Sequence, residues 1–99
     1  DKKILLLDEP FSALDSITRS QMQKWLLTLW KQFTKTILLV THDIDEAIFL
    51  SDRIYVMQNK SSNSMEIVNV DLPRPRNGEI VLDDSFLKIK KEIFPLIES

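Results

Sequence analysis

The sequence predicts an α/β protein built on parallel strands. Two short apolar runs, residues 4–7 and 36–41, are each followed by polar residues, as the buried strands of a parallel sheet are. A helical pattern over residues 16–33 lies between them, and a second one covers residues 43–50. Strand, helix, strand and helix in this order predict parallel strands with right-handed crossovers.

Composition excludes several classes of protein. The chain has 99 residues, 43 % hydrophobic and 28 % charged, which suits one small soluble domain. The net charge of -2 provides no basic field that would attract nucleic acid. Cysteine is absent, which excludes disulfides and thiolate metal sites and is compatible with the cytosol. No apolar run approaches the ~20 residues that span a bilayer, and the first residues do not resemble a signal peptide.

Glycine usage limits how this chain can hold a nucleotide. Gly78 is its only glycine. A phosphate-binding loop of the G-x-x-x-x-G-K-[ST] type needs two glycines, because its backbone amides must approach the phosphates closely. Such a loop is therefore not in this chain, and any phosphate cradle must come from elsewhere.

The first strand ends in two adjacent carboxylates. The apolar run over residues 4–7 predicts a strand buried on both faces, and Asp8, Glu9 and Pro10 follow it directly. Ligands bind at the carboxyl ends of strands in open parallel sheets, so a divalent metal carrying phosphates would suit this place. The alternative is that Asp8 and Glu9 begin a solvated loop. Both carboxylates can reach one ligand only if the chain leaves strand geometry at Glu9, which Pro10 favours.

The first helix is predicted from an apolar stripe with spacings of three and four. Its members are Met22, Trp25, Leu26, Leu29, Trp30 and Phe33. Asp15 or Ser16 supplies the N-cap oxygen, which predicts a helix over Ser16–Phe33. We expect the stripe to pack in the core, with ligand stacking by Trp25 and Trp30 as the alternative.

The second strand is followed by a histidine and a helix start. His42 comes directly after residues 36–41. Asp43 with Glu46 three residues later resembles a capping box and predicts a short helix over residues 43–50. One face of that helix consists of Ile44, Ala47, Ile48 and Ser51.

The next segment predicts an antiparallel hairpin at a sheet edge. Residues 53–58 form the third strand and residues 59–64 a polar turn. Val68, Val70 and Leu72 then alternate with polar residues, as in a strand with one buried face.

The last segment is expected to be extended and then helical. Prolines keep residues 72–78 extended. A helix then begins near Asp83 or Asp84 and carries Phe86, Ile89 and Ile93 on one apolar face. Pro95 should end or kink this helix, because it lacks a backbone N–H.

Asp8, Glu9 and His42 together suggest a site. Each follows a predicted parallel strand, so all three are expected at one rim of the sheet. One carboxylate that holds Mg²⁺ and a second that polarises water are the minimum equipment for phosphoanhydride hydrolysis. Taken alone, a single histidine after a strand is more often a hydrogen-bonded loop residue than part of a site. The absence of a second histidine and of any cysteine argues against a histidine-centred metal site.

At this point the sequence resembles a known family. LLLDEP at residues 5–10 and FSALD at residues 11–15 look like the Walker B segment and D-loop of ABC transporter ATP-binding subunits. VTHD at residues 40–43, with Glu46 and Ala47 after it, looks like their switch-histidine segment. LPRPR at residues 72–76 resembles the tail of nitrate, sulfonate and taurine importers. The resemblance covers nearly the whole chain but only the C-terminal part of the family's domain.

The resemblance implies a role for each matching residue. Asp8 would bind Mg²⁺ through water, Glu9 would be the catalytic carboxylate, and His42 would contact the γ-phosphate of ATP. The D-loop that meets a second ATP-binding subunit would be Ser12, Ala13, Leu14 and Asp15. The parent protein would form a homodimer, join transmembrane permease subunits and lie at the cytoplasmic face of the plasma membrane.

The same resemblance implies a truncated P-loop-ATPase-type sheet. Residues 1–72 would be the C-terminal portion of the ATPase core, and residues 73–99 an extended segment with a helix. The phosphate-binding loop, the glutamine loop and the Ser-Gly-Gly signature are absent from this sequence. We therefore expect a piece of a longer protein that alone neither binds ATP tightly nor hydrolyses it. Because the family has a central strand beside residues 4–7, we also expect either self-association through that sheet edge or a compensating rearrangement.

Two other interpretations remain open. The chain is alternatively a non-catalytic binding or regulatory module that keeps the edge of the fold. A helicase-like or other Asp-Glu ATPase is a third possibility, against which Ala13-Leu14-Asp15 and Thr41-His42-Asp43 argue. A glycine-rich lysine loop encoded upstream would favour the ATPase.

Overall fold

The computed structural model describes residues 4–33, 36–57 and 65–98 of an α/β chain. The elements in order are β1 (Ile4–Asp8), α1 (Ser16–Phe33), β2 (Thr36–Val40), α2 (Ile44–Leu50), β3 (Arg53–Met57), β4 (Met65–Asn69), a 3₁₀ helix (Gly78–Leu82) and α3 (Asp84–Glu98). The chain forms two compact units, Asp1–Glu46 and Ala47–Ser99. The predicted division at residue 72, which follows the family's motifs, stays a prediction.

The first unit contains the predicted parallel pair of strands. β1 pairs with β2 in parallel, and the register places Leu6 beside Leu38 and Asp8 beside Val40. α1 forms the connection between the two strands. The strand–helix–strand arrangement is therefore confirmed, and the ends of both strands lie together.

The prediction that these strands are buried on both faces is wrong. Partners in a parallel register share a face of the sheet. One face, called here the open face, consists of Ile4, Leu6, Leu38 and Val40, whose exposed fractions lie between 44 % and 72 %. The opposite face consists of the half-buried Leu5, Leu7, Ile37 and Leu39. The described residues leave the open face uncovered, so its apolar side chains stay in contact with solvent.

α1 begins where the sequence predicts and buries only part of its stripe. The Thr18 N–H donates to Asp15 Oδ1 at 2.7 Å, so Asp15 is the N-cap. Leu26 is buried, whereas Met22, Leu29 and Trp30 are half-buried. The core position predicted for Trp25 is wrong, because its side chain is 53 % exposed. The side chain of Phe33 lies outside the described part of the structure.

The second unit contains the predicted antiparallel hairpin. β3 pairs with β4 so that Ile54 lies beside Val68 and Tyr55 beside Ile67. Val68, and the following Val70 and Leu72, are buried as their alternation predicts. Gln58 and the predicted turn over residues 59–64 lie outside the described residues.

Two arginines close the C-terminal end of α2. Arg76 Nη1 donates to the carbonyls of Ile48, Phe49 and Ser51 at 3.1, 3.2 and 2.7 Å, and its Nη2 donates to that of Leu72 at 3.3 Å. Arg74 Nη2 donates to Leu50 O at 2.9 Å, and its Nε donates to Asp52 Oδ1 at 2.9 Å. The carbonyls of Ile48, Phe49 and Leu50 belong to the end of α2 and have no partners within the helix, so the arginines satisfy them. Ser51 and Leu72 lie outside the helix.

Arg76 is a nearly fully buried cation. Its side chain is only 1 % exposed. Burial, followed by the nearby charge of Arg74, lowers the pKa of Arg76 to about 10. The guanidinium is still charged at neutral pH, so its hydrogen bonds to the carbonyls are charge-assisted.

α3 starts at Asp84, as predicted, and continues past its proline. Phe86, Ile89 and Ile93 are buried on one face, which confirms the predicted stripe. The helix does not end at Pro95 but runs to Glu98. The proline removes one bond, to the carbonyl of the exposed Lys91, which solvent can satisfy. Within the described ranges, no helix has both the length and the hydropathy to cross a membrane.

Candidate functional site

The backbone turns sharply where the first strand meets its carboxylates. β1 ends at Asp8, and Glu9 has a φ of 46°, in the left-handed region that few non-glycine residues occupy. The Glu9 N–H donates to Val40 O at 2.7 Å, which ties this residue to the end of β2. The predicted departure from strand geometry at Glu9 is confirmed. A left-handed residue of this kind is typical of functional sites.

Residues 9–15, called here the acidic loop, fold into consecutive tight turns. Glu9 O accepts hydrogen bonds from Ser12 N and Ser12 Oγ at 3.4 and 3.2 Å. Leu14 N donates to Phe11 O at 3.2 Å. Phe11 is 4 % exposed, so its ring anchors the loop in the protein. The loop that the family resemblance expects to contact a partner subunit is therefore an ordered turn.

Asp15 ends the acidic loop and starts α1. The backbone N–H and the side chain of Thr18 hydrogen-bond to its carboxylate and lower the pKa of Asp15 below its ordinary value. The expected cap is therefore present, and it is compatible with a D-loop role.

Arg19 of α1 hydrogen-bonds to the acidic loop. Its Nη2 donates to Leu14 O at 2.8 Å and its Nε donates to Phe11 O at 3.3 Å. A planar guanidinium that bonds two carbonyls restricts both of them at once. The loop is thus fixed by its own turns and by the first turn of the helix that follows it.

Two hydrogen bonds between side chains and backbone N–H groups stabilise residues 41–46, called here the histidine turn. Asp43 N donates to Thr41 Oγ1 at 3.0 Å, and Glu46 N donates to Asp43 Oδ1 at 3.1 Å. His42 lies between these anchored residues with its side chain 88 % exposed. The backbone of the turn is fixed while the imidazole remains accessible.

Only half of the predicted capping box forms. Asp43 accepts from the N–H of Glu46 as expected. The Glu46 side chain does not return the bond, because Thr41 already accepts from the Asp43 N–H. Glu46 Oε2 instead accepts from Gln23 Nε2 of α1 at 2.7 Å, although Glu46 is only 5 % exposed.

Glu9 and His42 meet at the ends of neighbouring strands. His42 Nε2 lies 3.5 Å from Glu9 Oε1, which is longer than a direct hydrogen bond. A cleft of about 340 Å³ opens beside them and is lined by Glu9, Ser12, Arg19, Thr41, His42, Asp43 and Glu46. Asp8 does not line this cleft, and neither do Ala13, Leu14 and Asp15. The structure therefore brings together two of the three predicted chemical groups and the first residue of the D-loop segment.

The carboxylates are compatible with a magnesium ion held mainly by water. In the described part of the chain, no three side chains among His, Cys, Asp and Glu form a group that could hold a metal. Mg²⁺ commonly binds through one or two carboxylates and completes its shell with water and substrate phosphates. Asp8 is exposed at the end of β1 and offers such a carboxylate. The residues thus fit a magnesium–nucleotide complex better than a metal bound by protein alone.

Sequence reasoning missed three residues that build this site. Phe11, Arg19 and Gln23 were not assigned a role in it. A signal existed for Arg19, because the first turn of α1 has no acidic residue and a cation there opposes the helix dipole. Gln23 gave no such signal, since a polar residue on an exposed helix face is ordinary.

The sequence is similar to those of curated proteins over most of its length. The chain is 45 % identical over 98 residues to the aliphatic sulfonates import ATP-binding protein SsuB of Bacillus cereus, a match that covers 99 % of this chain and 38 % of that protein. It is 47 % identical over 83 residues to the bicarbonate transport ATP-binding protein CmpD of Synechococcus elongatus, covering 83 % of this chain and 30 % of that protein.

A third relative matches the same share of this chain as the sulfonate protein does. It is an uncharacterized ABC transporter ATP-binding protein of Methanocaldococcus jannaschii, 42 % identical over 98 residues, covering 99 % of this chain and 36 % of that protein. This chain therefore spans well under half the length of the curated relatives it matches. No protein-family model matches it.

Proposed function

We propose that this chain, which is homologous to ABC transporter ATP-binding proteins over nearly its whole length, carries the water-activating part of the ATPase site of an importer. The observation that carries the proposal is the meeting of Glu9 and His42 beside one cleft at the ends of adjacent parallel strands. One relative is named for the import of aliphatic sulfonates and another for the transport of bicarbonate, which supports an importer.

The proposed roles follow from position and exposure. Glu9 is half-buried and aimed at the cleft, which suits a carboxylate that orients and deprotonates an attacking water. His42 is accessible and suits a hydrogen bond to the γ-phosphoryl oxygens of ATP. Asp8 would hold Mg²⁺ through water, and that ion would neutralise charge on the phosphates.

The proposed partners follow from the acidic loop. Ser12, Ala13 and Asp15 are exposed, so they are available to a second ATP-binding subunit. We place the complete subunit in a homodimer on membrane-embedded permease subunits, at the cytoplasmic side of the membrane. The 99 residues alone should neither bind ATP tightly nor hydrolyse it, because their single glycine excludes a phosphate-binding loop.

The test is a Glu9→Gln substitution in the complete ATP-binding subunit that contains this chain. Loss of a general base lowers turnover by roughly 10²- to 10⁴-fold, so kcat for magnesium-dependent phosphate release should fall by that factor while ATP still binds. Glu92→Gln, the same change at an exposed carboxylate of α3, is the matched control and should leave kcat unchanged. Unchanged turnover in Glu9→Gln would overturn the proposal.

A non-catalytic regulatory module is the second candidate. It is favoured by the absence of a second glycine, which leaves these residues without a phosphate cradle. The coding sequence upstream separates the two candidates. A glycine-rich lysine loop and a Ser-Gly-Gly stretch encoded there would support the ATPase, and their absence would support the module.

A further inference from the structure

We infer that Arg19 and Gln23 are positioning residues that fasten the acidic loop and the histidine turn to one helix. This inference rests on the proposed function, because it explains how Glu9 and His42 are held at a working distance. The inference requires neither residue to touch the proposed substrate, although Arg19 also lines the cleft. Each acts through the segment that it holds.

The first attachment is the bond from Arg19 to the acidic loop. Its guanidinium spans Phe11 O at 3.3 Å and Leu14 O at 2.8 Å, and both bonds are partly shielded from water. Shielding strengthens a charge-assisted hydrogen bond relative to one in solvent. The loop between Glu9 and Asp15 therefore cannot move without breaking or carrying this contact.

The second attachment is the bond from Gln23 to the histidine turn. Gln23 Nε2 donates to Glu46 Oε2 at 2.7 Å, a short bond to a nearly buried carboxylate. Removing the donor would leave that carboxylate without this bond, which is costly for a buried charge. Glu46 is in turn joined through its N–H to Asp43, next to His42.

The two attachments lie on the same side of α1. Arg19 and Gln23 are four residues apart, so their side chains are neighbours on one helix face. Their targets carry Glu9 and His42, which approach each other to 3.5 Å without a direct hydrogen bond. Since the pair itself is loosely bonded, the spacing is set by the backbones that carry it. A partner subunit that shifts the acidic loop would act on the histidine turn through α1.

The first experiment compares Arg19→Ala and Arg19→Lys in the complete ATP-binding subunit. A displacement of about 1 Å lowers rate by roughly 100-fold, so kcat should fall 10- to 100-fold in Arg19→Ala with KM for ATP nearly unchanged. Arg19→Lys should recover only part of the rate, since an ammonium cannot span both carbonyls. Lys24→Ala, an exposed change on the same helix, is the control and should match wild type. A wild-type kcat in Arg19→Ala, or a loss confined to KM, would overturn the inference.

The second experiment reverses the Gln23–Glu46 pair. Gln23→Glu alone places two carboxylates against each other and should lower kcat. Adding Glu46→Gln restores one amide donor and one carboxylate acceptor and should recover most of the rate. A double variant as slow as the single one would argue against positioning by this bond.

A third readout is independent of hydrolysis. Amide hydrogen exchange at Leu14, whose N–H bonds Phe11 O, should accelerate in Arg19→Ala without nucleotide. Unchanged exchange there would count against the first attachment. If Arg19→Ala does not fold, Arg19→Lys and the reversed pair still decide the question. Wild-type turnover in Glu9→Gln defeats the proposed function, whereas exchange at Leu14 reports on the attachment alone.

Discussion

Glu9 combines a proposed chemical role with an unusual backbone. Its φ of 46° places a residue with a Cβ in the left-handed region. This conformation costs an L-residue roughly 1–2 kcal/mol. The bond from Glu9 N–H to Val40 O and the turn at Ser12 hold the chain there. Backbone strain of this kind is found at functional sites, where the orientation of a side chain matters more than local stability.

Replacing Glu9 should separate its backbone from its chemistry. Glu9→Gly relieves the left-handed strain and should keep or slightly raise the free energy of unfolding, because the gain exceeds the roughly 0.4–1 kcal/mol lost to greater freedom of the unfolded chain. Glu9→Val should be less stable than Glu9→Gly by about 1 kcal/mol or more. Denaturant unfolding measures both. Equal stabilities for the two variants would show that the strain is absent in solution.

The carboxyl of Asp15 should make folding sensitive to acid. Its pKa is lowered in the folded chain by the hydrogen bonds from Thr18. A group with a depressed folded pKa stabilises the fold above its unfolded pKa and loses that contribution as the pH falls through the folded value. Thermal unfolding from pH 6 down to pH 2 should therefore show a loss of stability that Asp15→Asn reduces. Asp71→Asn, the same change at an exposed carboxyl in the segment after β4, serves as the comparison.

Single residues show how far sequence reasoning reached. Asp8, Glu9 and His42 were expected at one rim because a strand end is a local pattern, and the structure places Glu9 and His42 3.5 Å apart. Arg19 and Gln23 act on residues up to 23 positions away, and only coordinates reveal such pairs. Nothing in the local sequence around Arg19 and Gln23 indicates which residues they contact.

Among the elements, α2 depends most on residues outside itself. It is seven residues long, so propensity alone would not keep it helical in water. Asp43 caps its start, and Arg74 and Arg76 bind the carbonyls at its end. The sequence predicted the first cap from local spacing. It did not predict the arginine caps, which come from 24 to 28 residues further along the chain.

Removing the buried arginine should unfold the end of α2. Arg76→Ala leaves several carbonyls without donors and should destabilise the fold by about 3 kcal/mol or more. Arg76→Lys should recover part of this loss, since one ammonium reaches fewer acceptors. Denaturant unfolding gives the difference, with the exposed Arg53→Ala as the control. A loss in Arg76→Ala no larger than in Arg53→Ala would show that the contacts contribute little.

Helix α3 shows a limit of residue-by-residue rules. Pro95 was expected to end or kink it, yet the helix continues to Glu98. The buried stripe of Phe86, Ile89 and Ile93 lies before the proline and fixes the helix by packing. A proline near an exposed end disturbs few bonds, so packing decides the outcome.

At the scale of the whole molecule, the exposed sheet of the first unit is the main departure from expectation. The runs at residues 4–7 and 36–41 carry the composition of strands covered by helices on both sides, whereas the open face is solvated. The apolar composition of a strand indicates that its side chains suit a covered sheet. It does not indicate whether the covering elements are present.

The 99-residue chain should therefore self-associate. Apolar side chains on the open face, and the edge of β1 that no described strand pairs, favour association with a second copy. Light scattering over a concentration series should show species larger than a monomer. Leu38→Lys should shift the distribution toward monomer, whereas Gln21→Lys, which adds the same charge on α1, should not. A strictly monomeric wild-type chain at high concentration would contradict the prediction.

The arginine contacts at the end of α2 also bear on the order of events during synthesis. Arg76 is made 25 to 28 residues after the carbonyls of Ile48, Phe49 and Ser51 that it binds. Until the ribosome has released that far segment, the helix behind His42 lacks its final bonds and can fray. The histidine turn can form early from its own local contacts, but the helix it begins is completed late. A chain that stalls or is cut before residue 76 would thus retain the residues proposed for hydrolysis while losing the end of the helix that follows them.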